Sequence, residues 1–316
     1  MGALIAMLIG IAGTSVIHTS KGLMKLGLQR IQVARATGGS VRGPSLIYAA
    51  GMLANFTTPF WVMVANLFAP TVFYTSMYGL GLVSLLVFSR LVLQEELTSL
   101  HVIGAGVIIA GTGLLAAGEL LGVPAMLGDA QLQPLVIITA LWVAGGVIGA
   151  LTTSGRAIGF QEIFFGLAAG GMAALDALLK GVAQQGANGP TLIPTTLTGG
   201  LVFTGSFAVA AGAFGMIQWS YLRSCRASIM GTSYDLSYVG VPVLLFAVLR
   251  PEYGFTVFNT AGLIVLMVGA LIVQYASRTG SRATPVAPHP AVSEFVSKGG
   301  AGYVESSATI AERRDR

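Results

Sequence analysis

The sequence predicts an all-α polytopic membrane protein of about nine transmembrane helices, arranged as two inverted four-helix repeats around a connector helix. Two observations predict the membrane class. Hydrophobic residues make up 54% of the 316 residues and charged residues only 9%, whereas a soluble domain carries about 25% charged residues. The mean hydropathy is +0.79. A third observation, an internal repeat, predicts the arrangement of the helices. A chain with so few charges cannot cover a surface that faces water.

The apolar stretches set the number of helices, because the bilayer core requires about 20 apolar residues per helix. Pro70 favours a helix that begins at Thr71, since proline suits a first turn and breaks a helix interior. The charges Lys21 and Lys25 follow the N-terminal stretch, which is the reverse of a cleavable signal peptide. The predicted spans are Leu4–Met24, Leu46–Phe68, Thr71–Leu91, Leu100–Leu121, Leu135–Leu151, Ile163–Val182, Leu201–Leu222, Ile229–Leu249 and Val257–Tyr275.

The stretch Trp61–Ala117 recurs, 158 residues later, as Trp219–Tyr275. Both copies contain two adjacent apolar spans, a short turn and a third span that carries glycines. Few residues are identical, so the match depends on span lengths, turn positions and two coincident glycine pairs. These pairs are Gly104 with Gly262 and Gly111 with Gly269. Internal repeats are typical of secondary transporters, whose substrate sites form at the repeat interface.

The spans predict a first repeat at residues 1–121, a connector with the fifth helix at 122–160 and a second repeat at 161–276. The connector makes the second repeat enter the membrane from the opposite face, so the repeats are inverted. Residues 277–316 are rich in Ser, Thr, Gly, Pro and charge, which is typical of a disordered tail. We predict that this tail is cytoplasmic.

The basic residues predict the orientation. With nine spans and an outside N-terminus, the inner loops and the tail hold all of the 17 basic residues except Lys180 and Arg250. This bias satisfies the positive-inside rule. We therefore expect an integral protein of the plasma (inner) membrane, with the N-terminus outside and the C-terminus in the cytoplasm. The net charge of +5 is then explained by the orientation of the chain in the membrane and does not indicate nucleic-acid binding. We expect the lipid bilayer as a partner and no nucleic acid.

Three stretches resemble a known family. They are Gly13–Thr14–Ser15 with Lys21–Gly22–Leu23, Ala54–Asn55–Phe56 with Phe68–Ala69–Pro70–Thr71, and Leu93–Gln94–Glu95–Glu96–Leu97 with Gly104 and Gly111. They are similar to the drug/metabolite transporter superfamily, in its EamA-like branch and the branch of the NIPA magnesium transporters. The resemblance implies transport of a small solute or an ion, without indicating which. The second repeat departs from the pattern, because it has Pro251–Glu252–Tyr253–Gly254 where the first repeat has the turn Gln94–Glu95–Glu96.

Asp176 is the first candidate for the binding site. A carboxylate within a transmembrane helix costs about 2.5–3.5 kcal/mol on insertion scales and usually faces a cavity or a partner. Lys180, four residues later on the same helix face, offers a purely structural ion pair as the alternative. His18 lies 158 residues before Asp176. If the two repeats are aligned with one more residue between them, Lys21 aligns with Lys180. His18 therefore corresponds either to Asp176 or to the residue next to Asp176.

Depth argues against a hydrogen bond between His18 and Asp176. Each lies about four residues, or about 6 Å, from its helix centre, and inversion places them on opposite sides. We therefore interpret His18 and Asp176 as parts of two separate half-sites, one nearer each face of the membrane.

Asp235 is the second acid within a predicted span. The alternatives to a binding role are pairing with Arg223 or Arg226, or capping. Tyrosines accompany it, at Tyr234 and Tyr238, and others occupy nearly matching places in the third span, at Tyr74 and Tyr78. Tyrosines four residues apart share a helix face, although tyrosines near span ends also form interfacial belts.

Several weaker candidates complete the predicted site. Amides can contact a substrate or hold helices together, and charges at span ends suit orientation or gating. The candidates for substrate contact are Asn55, Asn66, Gln218 and Trp219. The candidates for gating or structural charge are Lys21, Lys180, Glu95 and Glu96.

The sequence contains no HExxH, P-loop or paired-carboxylate motif, so we expect neither an enzyme nor a cofactor. The single cysteine, Cys225, allows no internal disulfide. We predict a carrier that moves a small molecule or ion by alternating access, coupled to protons or cations. The alternatives are a Mg²⁺ transporter of the NIPA type and a non-transporting membrane scaffold. A homodimer is compatible with either kind of carrier.

Overall fold

The computed structural model describes residues 1–93, 98–121, 127, 129–186, 189–223, 225, 227–250 and 256–283. A 3-10 turn spans Thr153–Gly155, and two short strands, β1 (Gln185–Gly186) and β2 (Gly189–Pro190), pair in antiparallel orientation. The helices are α1 (Gly2–Ala36), α2 (Arg42–Asn55), α3 (Thr58–Ala65), α4 (Thr71–Ser76), α5 (Tyr78–Leu91), α6 (Ser99–Leu121), α7 (Asp129–Thr152), α8 (Ile158–Ala183), α9 (Leu197–Leu222), α10 (Ala227–Leu249) and α11 (Val257–Ala283).

Within the described residues, nine helical segments are long and apolar enough to cross a membrane, which confirms the all-α polytopic fold. Two predicted spans are each divided into two helices. The second becomes α2 and α3, with a break before Pro59, because proline cannot donate to the carbonyl four residues earlier and clashes with it. The third becomes α4 and α5, which meet at Met77.

Two helices extend beyond their predicted spans. α1 continues for 12 residues past Met24 to Ala36, and α11 continues past Tyr275 to Ala283. Residues 277–283, which we assigned to the disordered tail, are therefore helical. Each residue added to an existing helix gains a hydrogen bond, so a helix can continue where the apolar stretch ends. The rest of the tail and the turns at 94–97 and 251–255 lie outside the described residues.

The outer surface of the bundle is apolar. Large side chains on several helices are strongly exposed, including Leu141 at 68%, Leu201 at 67% and Leu271 at 57%. Exposed apolar surface on this scale is unusual in a protein that faces only water. It suits a surface that contacts lipid tails.

α8 is the most buried of the nine spans, and α1 and α8 have matching neighbours. α1 packs against α2–α3 and α4–α5, and α8 packs against α9 and α10. Nearly every residue of α8 from Gln161 to Ala183 is buried. Small residues allow the close approach: a Cβ atom on Gly170 of α8 would overlap the backbone carbonyl of Tyr234 on α10. The site described below lies between these helices.

The pairing of α6 with α11 has two-fold symmetry. Residue numbers rise along α6 as they fall along α11, so the helices are antiparallel. The close contacts are Gly104 with Val273, Gly262 with Leu115, Gly111 with Leu266 and Gly269 with Ile108. If 158 is added to the number of the α6 residue and subtracted from that of the α11 residue, the first contact becomes the second and the third becomes the fourth. An inverted repeat requires this symmetry here, while the division of the chain at residues 121, 160 and 276 stays a prediction.

Candidate functional site

His18 and Asp235 form a buried contact between α1 and α10. His18 Nε2 lies 2.8 Å from Asp235 Oδ2 and 3.0 Å from Oδ1, and the other ring nitrogen, Nδ1, lies 2.8 Å from the Thr14 carbonyl oxygen. His18 is 0% exposed and Asp235 5% exposed. Gly81 of α5 makes room for the ring, because a Cβ atom there would overlap His18.

Lys21, one turn after His18 on α1, joins the same contact. Its Nζ lies 3.8 Å from Asp235 Oδ1 and 3.3 Å from the Tyr78 hydroxyl. The same atom lies 3.8 Å from the centre of the Tyr234 ring, within the range of a cation–π interaction. Lys21 was predicted as a gating or structural charge at the inner end of the first span. The structure buries it beside Asp235.

Tyrosines from both halves of the chain surround this charge pair. The Tyr78 ring centre lies 3.9 Å from that of Tyr238, 5.8 Å from that of Tyr234 and 4.9 Å from that of His18. The hydroxyl of Tyr74 is buried without a hydrogen-bond partner among the described residues. We call the following side chains the central cluster: His18, Lys21, Tyr74, Tyr78, Tyr234, Asp235 and Tyr238.

α10 is weakened directly beside the central cluster. Pro242 lies inside this helix and carries no N–H to donate to the carbonyl of Tyr238, four residues earlier. The helix therefore lacks one backbone hydrogen bond at the residue that stacks on Tyr78. A local change of helix direction at this point costs less than elsewhere in α10.

Asp176 and Lys180 form a second buried charge pair on α8. Their charged atoms are in direct contact, and Lys180 Nζ lies 4.1 Å from the centre of the Phe207 ring on α9. We call Asp176 and Lys180 the α8 pair. Lys180, which we assigned to the outside, is 0% exposed. The structural ion pair that we kept open for Asp176 is therefore present, and any role in transport must include Lys180.

The central cluster and the α8 pair lie at different depths in the bundle. α8 and α10 run in parallel, since Gly166 faces Met230 and Gly170 faces Tyr234. In this register Asp176 is level with a position five residues after Asp235 on α10, which is about 7.5 Å along the helix axis. His18 contacts Asp235 and not Asp176.

The partners proposed for Asp235 from the sequence were wrong where the structure describes them. Asp235 contacts His18 and Lys21, and it lies inside α10, where it cannot cap the helix. Arg223 instead lies over the rings of Phe165 and Trp219. Arg226 lies outside the described residues. The sequence favoured the arginines because they are near in the chain, while His18 is 217 residues away.

The weaker candidates do not join the central cluster. The Asn66 amide donates to Gln184 Oε1 at 2.9 Å, and the Tyr48 hydroxyl donates to Gln218 Oε1 at 2.7 Å. These contacts hold helices together, which was the alternative role. Trp219 packs beside Phe165. Asn55 is half-buried at the end of α2, and Glu95 and Glu96 lie outside the described residues.

Buried acids and amides that were not among the predicted site residues include Glu119, Glu162 and Gln184. Glu119 accepts a hydrogen bond of 2.9 Å from the Asn259 amide. Glu162 is 0% exposed near the start of α8, and Gln184 is 0% exposed at the end of that helix. All three lie at the ends of apolar stretches, where the pattern alone assigns polar residues to water. The signal that marks them is a charged or amide side chain directly beside an otherwise unbroken apolar run.

This fold, with charges buried among apolar helices, defines a polytopic helical membrane protein. Comparison with protein-family models, with curated proteins and with solved structures gives no match for this chain. The family resemblance noted in the sequence therefore stays a prediction.

Proposed function

We propose that this protein is a carrier that moves a small solute across a membrane by alternating access, coupled to protons or cations. The observation that carries the proposal is a pair of buried charge pairs at two depths in the bundle: Asp235 with Lys21, and Asp176 with Lys180. The antiparallel, two-fold related packing of α6 and α11 supports it. Inverted repeats allow one site to open to each side in turn.

Stability alone does not account for these charges. Replacing a buried ion pair by apolar residues of similar volume is often neutral or stabilising, so a membrane bundle gains little from retaining one. Ionisable residues inside a membrane usually mark the path of a substrate or proton. A scaffold that does not transport would give no reason for two such pairs.

The contacts favour a solute that carries an amino group. Each lysine ammonium contacts a carboxylate and an aromatic ring: Lys21 with Asp235 and Tyr234, and Lys180 with Asp176 and Phe207. The same contacts bind the cationic group of an organic ligand. We propose that a substrate ammonium exchanges places with the lysine, which keeps the local charge constant.

Mg²⁺ transport is the second candidate, because the sequence resembles the NIPA branch and two buried carboxylates are present. Mg²⁺ demands octahedral oxygen ligands and loses water reluctantly. Among the residues that the structure describes, no group of three or more His, Cys, Asp or Glu could hold a metal ion. Each carboxylate also contacts an ammonium already, which a divalent cation would have to displace.

The test is uptake and efflux in vesicles that contain the purified protein. The panel is a lipophilic amine, amino acids and Mg²⁺, each with and without a pH gradient. We expect accumulation of an amine-bearing solute that the pH gradient alters, and little movement of Mg²⁺. The matched control replaces both Asp176 and Asp235 by Asn. Movement of no panel member by well-folded protein would contradict the proposal, as would equal transport by parent and control.

A further inference from the structure

The two ring nitrogens of His18 have partners that determine where one hydrogen must lie. Nδ1 lies 2.8 Å from the carbonyl oxygen of Thr14, one turn earlier on α1. A backbone carbonyl only accepts hydrogen bonds. Nδ1 therefore carries a hydrogen and donates it to Thr14.

This assignment constrains the contact on the other side of the ring. In neutral imidazole only one nitrogen carries a hydrogen, so Nε2 of neutral His18 would be an acceptor. An ionised Asp235 carboxylate is an acceptor as well, and its Oδ2 lies 2.8 Å from Nε2. Two acceptors at this distance repel each other. The contact requires one proton more than neutral histidine and ionised aspartate possess together.

We infer that His18 and Asp235 bind one shared, exchangeable proton, held between Nε2 and Oδ2, and that it is the coupling ion of the carrier. The second clause rests on the proposed function, whereas the first rests on geometry alone. The proton resides either on the histidine, as imidazolium beside carboxylate, or on the aspartate, as carboxylic acid beside neutral imidazole. Both forms have the same total charge.

The surrounding groups explain how the proton can leave. Lys21, on α1, lies 3.8 Å from Oδ1 of Asp235. Tyr78 of α5 packs against the His18 ring, and Tyr234 of α10 lies beneath the Lys21 ammonium. When the proton passes to water, the carboxylate keeps a compensating cation in Lys21. The ring keeps its hydrogen on Nδ1, so the Nε2 lone pair then faces a carboxylate.

Loss of the proton therefore replaces the attraction between His18 and Asp235 by a repulsion, while Lys21, one turn later on α1, still attracts the carboxylate. α1 and α10 belong to different predicted repeats. The protonated pair joins them at His18, and after loss of the proton Asp235 moves toward Lys21, so the contact between the repeats shifts by one turn along α1. The missing backbone hydrogen bond at Pro242 makes such a movement of α10 easier. No covalent bond other than that to the proton forms or breaks.

Nitrogen NMR of the full-length protein tests the shared proton directly. The histidines are labelled with ¹⁵N, and the His18 signals are those lost in His18→Gln. We expect one transition with pH. On its acidic side Nε2 shares a proton, and on its basic side Nε2 is bare while Nδ1 keeps its hydrogen. A neutral ring with its hydrogen on Nε2, or no transition while the protein stays folded, would overturn the inference.

Substitution separates the proton site from its role in transport. The amide introduced by Asp235→Asn can donate a hydrogen to Nε2 without titrating, so we expect loss of the shared-proton signal of His18 and loss of the response to a pH gradient. Glu119→Gln is the matched control, because Glu119 is a buried carboxylate that contacts Asn259 outside the central cluster, and it should leave the His18 transition unchanged. If Asp235→Asn does not fold, His18→Gln replaces it in the transport measurement, because its amide can donate to the Asp235 carboxylate without binding a proton.

The outcomes distinguish this inference from the proposed function. If His18 shows the transition but the protein moves no solute of the panel, the proton site is retained and the proposed carrier function is rejected. Transport by Asp235→Asn with an unchanged response to the pH gradient overturns the coupling role. An unchanged His18 transition in Asp235→Asn overturns the shared proton itself.

Discussion

Gly111 of α6 lies directly against the backbone of Leu266 on α11, and the pair Gly269 and Ile108 repeats this contact with the helices exchanged. Glycine is required at both places, because a Cβ atom would overlap the facing backbone or side chain. Small residues permit such close approach of membrane helices, where lipid supplies no hydrophobic drive for association. The two halves of the chain therefore meet through equivalent residues.

The first prediction concerns this interface. Gly111→Val should destabilise the protein by about 1–3 kcal/mol, since the added side chain forces the helices apart. The matched control is Gly113→Val, two residues away, where a Cβ atom meets nothing within 4 Å. Thermal unfolding in detergent measures both. Equal unfolding temperatures for the two variants would show that α6 and α11 do not pack in this way.

The second prediction concerns the α8 pair. Asp176→Asn should abolish driven transport while the protein still folds, and the double variant with Lys180→Met should stay inactive. Removing one partner of a buried pair costs about 3–5 kcal/mol, whereas replacing the whole pair is often nearly neutral. Stability should therefore recover in the double variant, and transport should not. Vesicle uptake and thermal unfolding measure the two quantities on the same preparations.

The opposite result for the α8 pair is equally specific. If Asp176 only neutralises Lys180, the double variant will insert, fold and transport like the parent. That result would assign the α8 pair to packing and leave the central cluster as the functional site.

The third prediction concerns orientation, which the loop charges favour. A reporter fused after Arg316 should be active only in the cytoplasm, and one fused before Met1 only outside. Fusions in the loops after α3 and α9 provide internal controls, because they should report opposite sides. If both termini report the same side, the number of membrane crossings is even and the connector helix is misassigned.

The fourth prediction concerns Cys225, the only cysteine of the chain, which lies between the segments α9 and α10. Burial, reinforced by the negative charge of Glu162, raises the pKa of the Cys225 thiol to about 11, although Arg223 opposes the shift. The thiolate is the reactive form, so alkylation at neutral pH should be slow and should accelerate as the pH rises toward 11. The rate of reaction with a maleimide measures this.

A matched control places a cysteine at an exposed position. Ser40 lies in the exposed segment between α1 and α2, so Ser40→Cys combined with Cys225→Ser should react at the ordinary rate. We expect the native Cys225 to react at least tenfold more slowly at neutral pH, because a pKa raised by about two units lowers the thiolate fraction strongly. Similar rates for both proteins would show that Cys225 is open to water and unperturbed.

Composition and hydropathy were sufficient to predict the helices. Each membrane helix satisfies its own backbone hydrogen bonds, so its position depends mainly on a local apolar run. All nine predicted spans correspond to helical segments in the described residues. The deviations are local as well: the break before Pro59 and the extension of α11 to Ala283.

The polar interior could be predicted only in part. The high cost of a charge in the membrane marked Asp176 and Asp235, and helix spacing correctly suggested the contact of Asp176 with Lys180, four residues away. Gln184, Glu119 and Glu162 were missed, because at the end of an apolar run a polar side chain can face either water or the interior. The apolar pattern does not distinguish these two directions.

By itself the sequence determined that this chain is a helical membrane protein with acids inside its spans, because these features depend on local composition and spacing. The internal repeat stays a prediction of the sequence. Only the tertiary structure decided that Asp235 contacts His18 and Lys21, and that tyrosines from both halves surround them. The contacts of Asp235 with His18 and Lys21 join residues more than 200 positions apart. They depend on how α1, α5 and α10 pack, which is set by shape at glycines such as Gly81 and Gly170 and not by any periodic pattern.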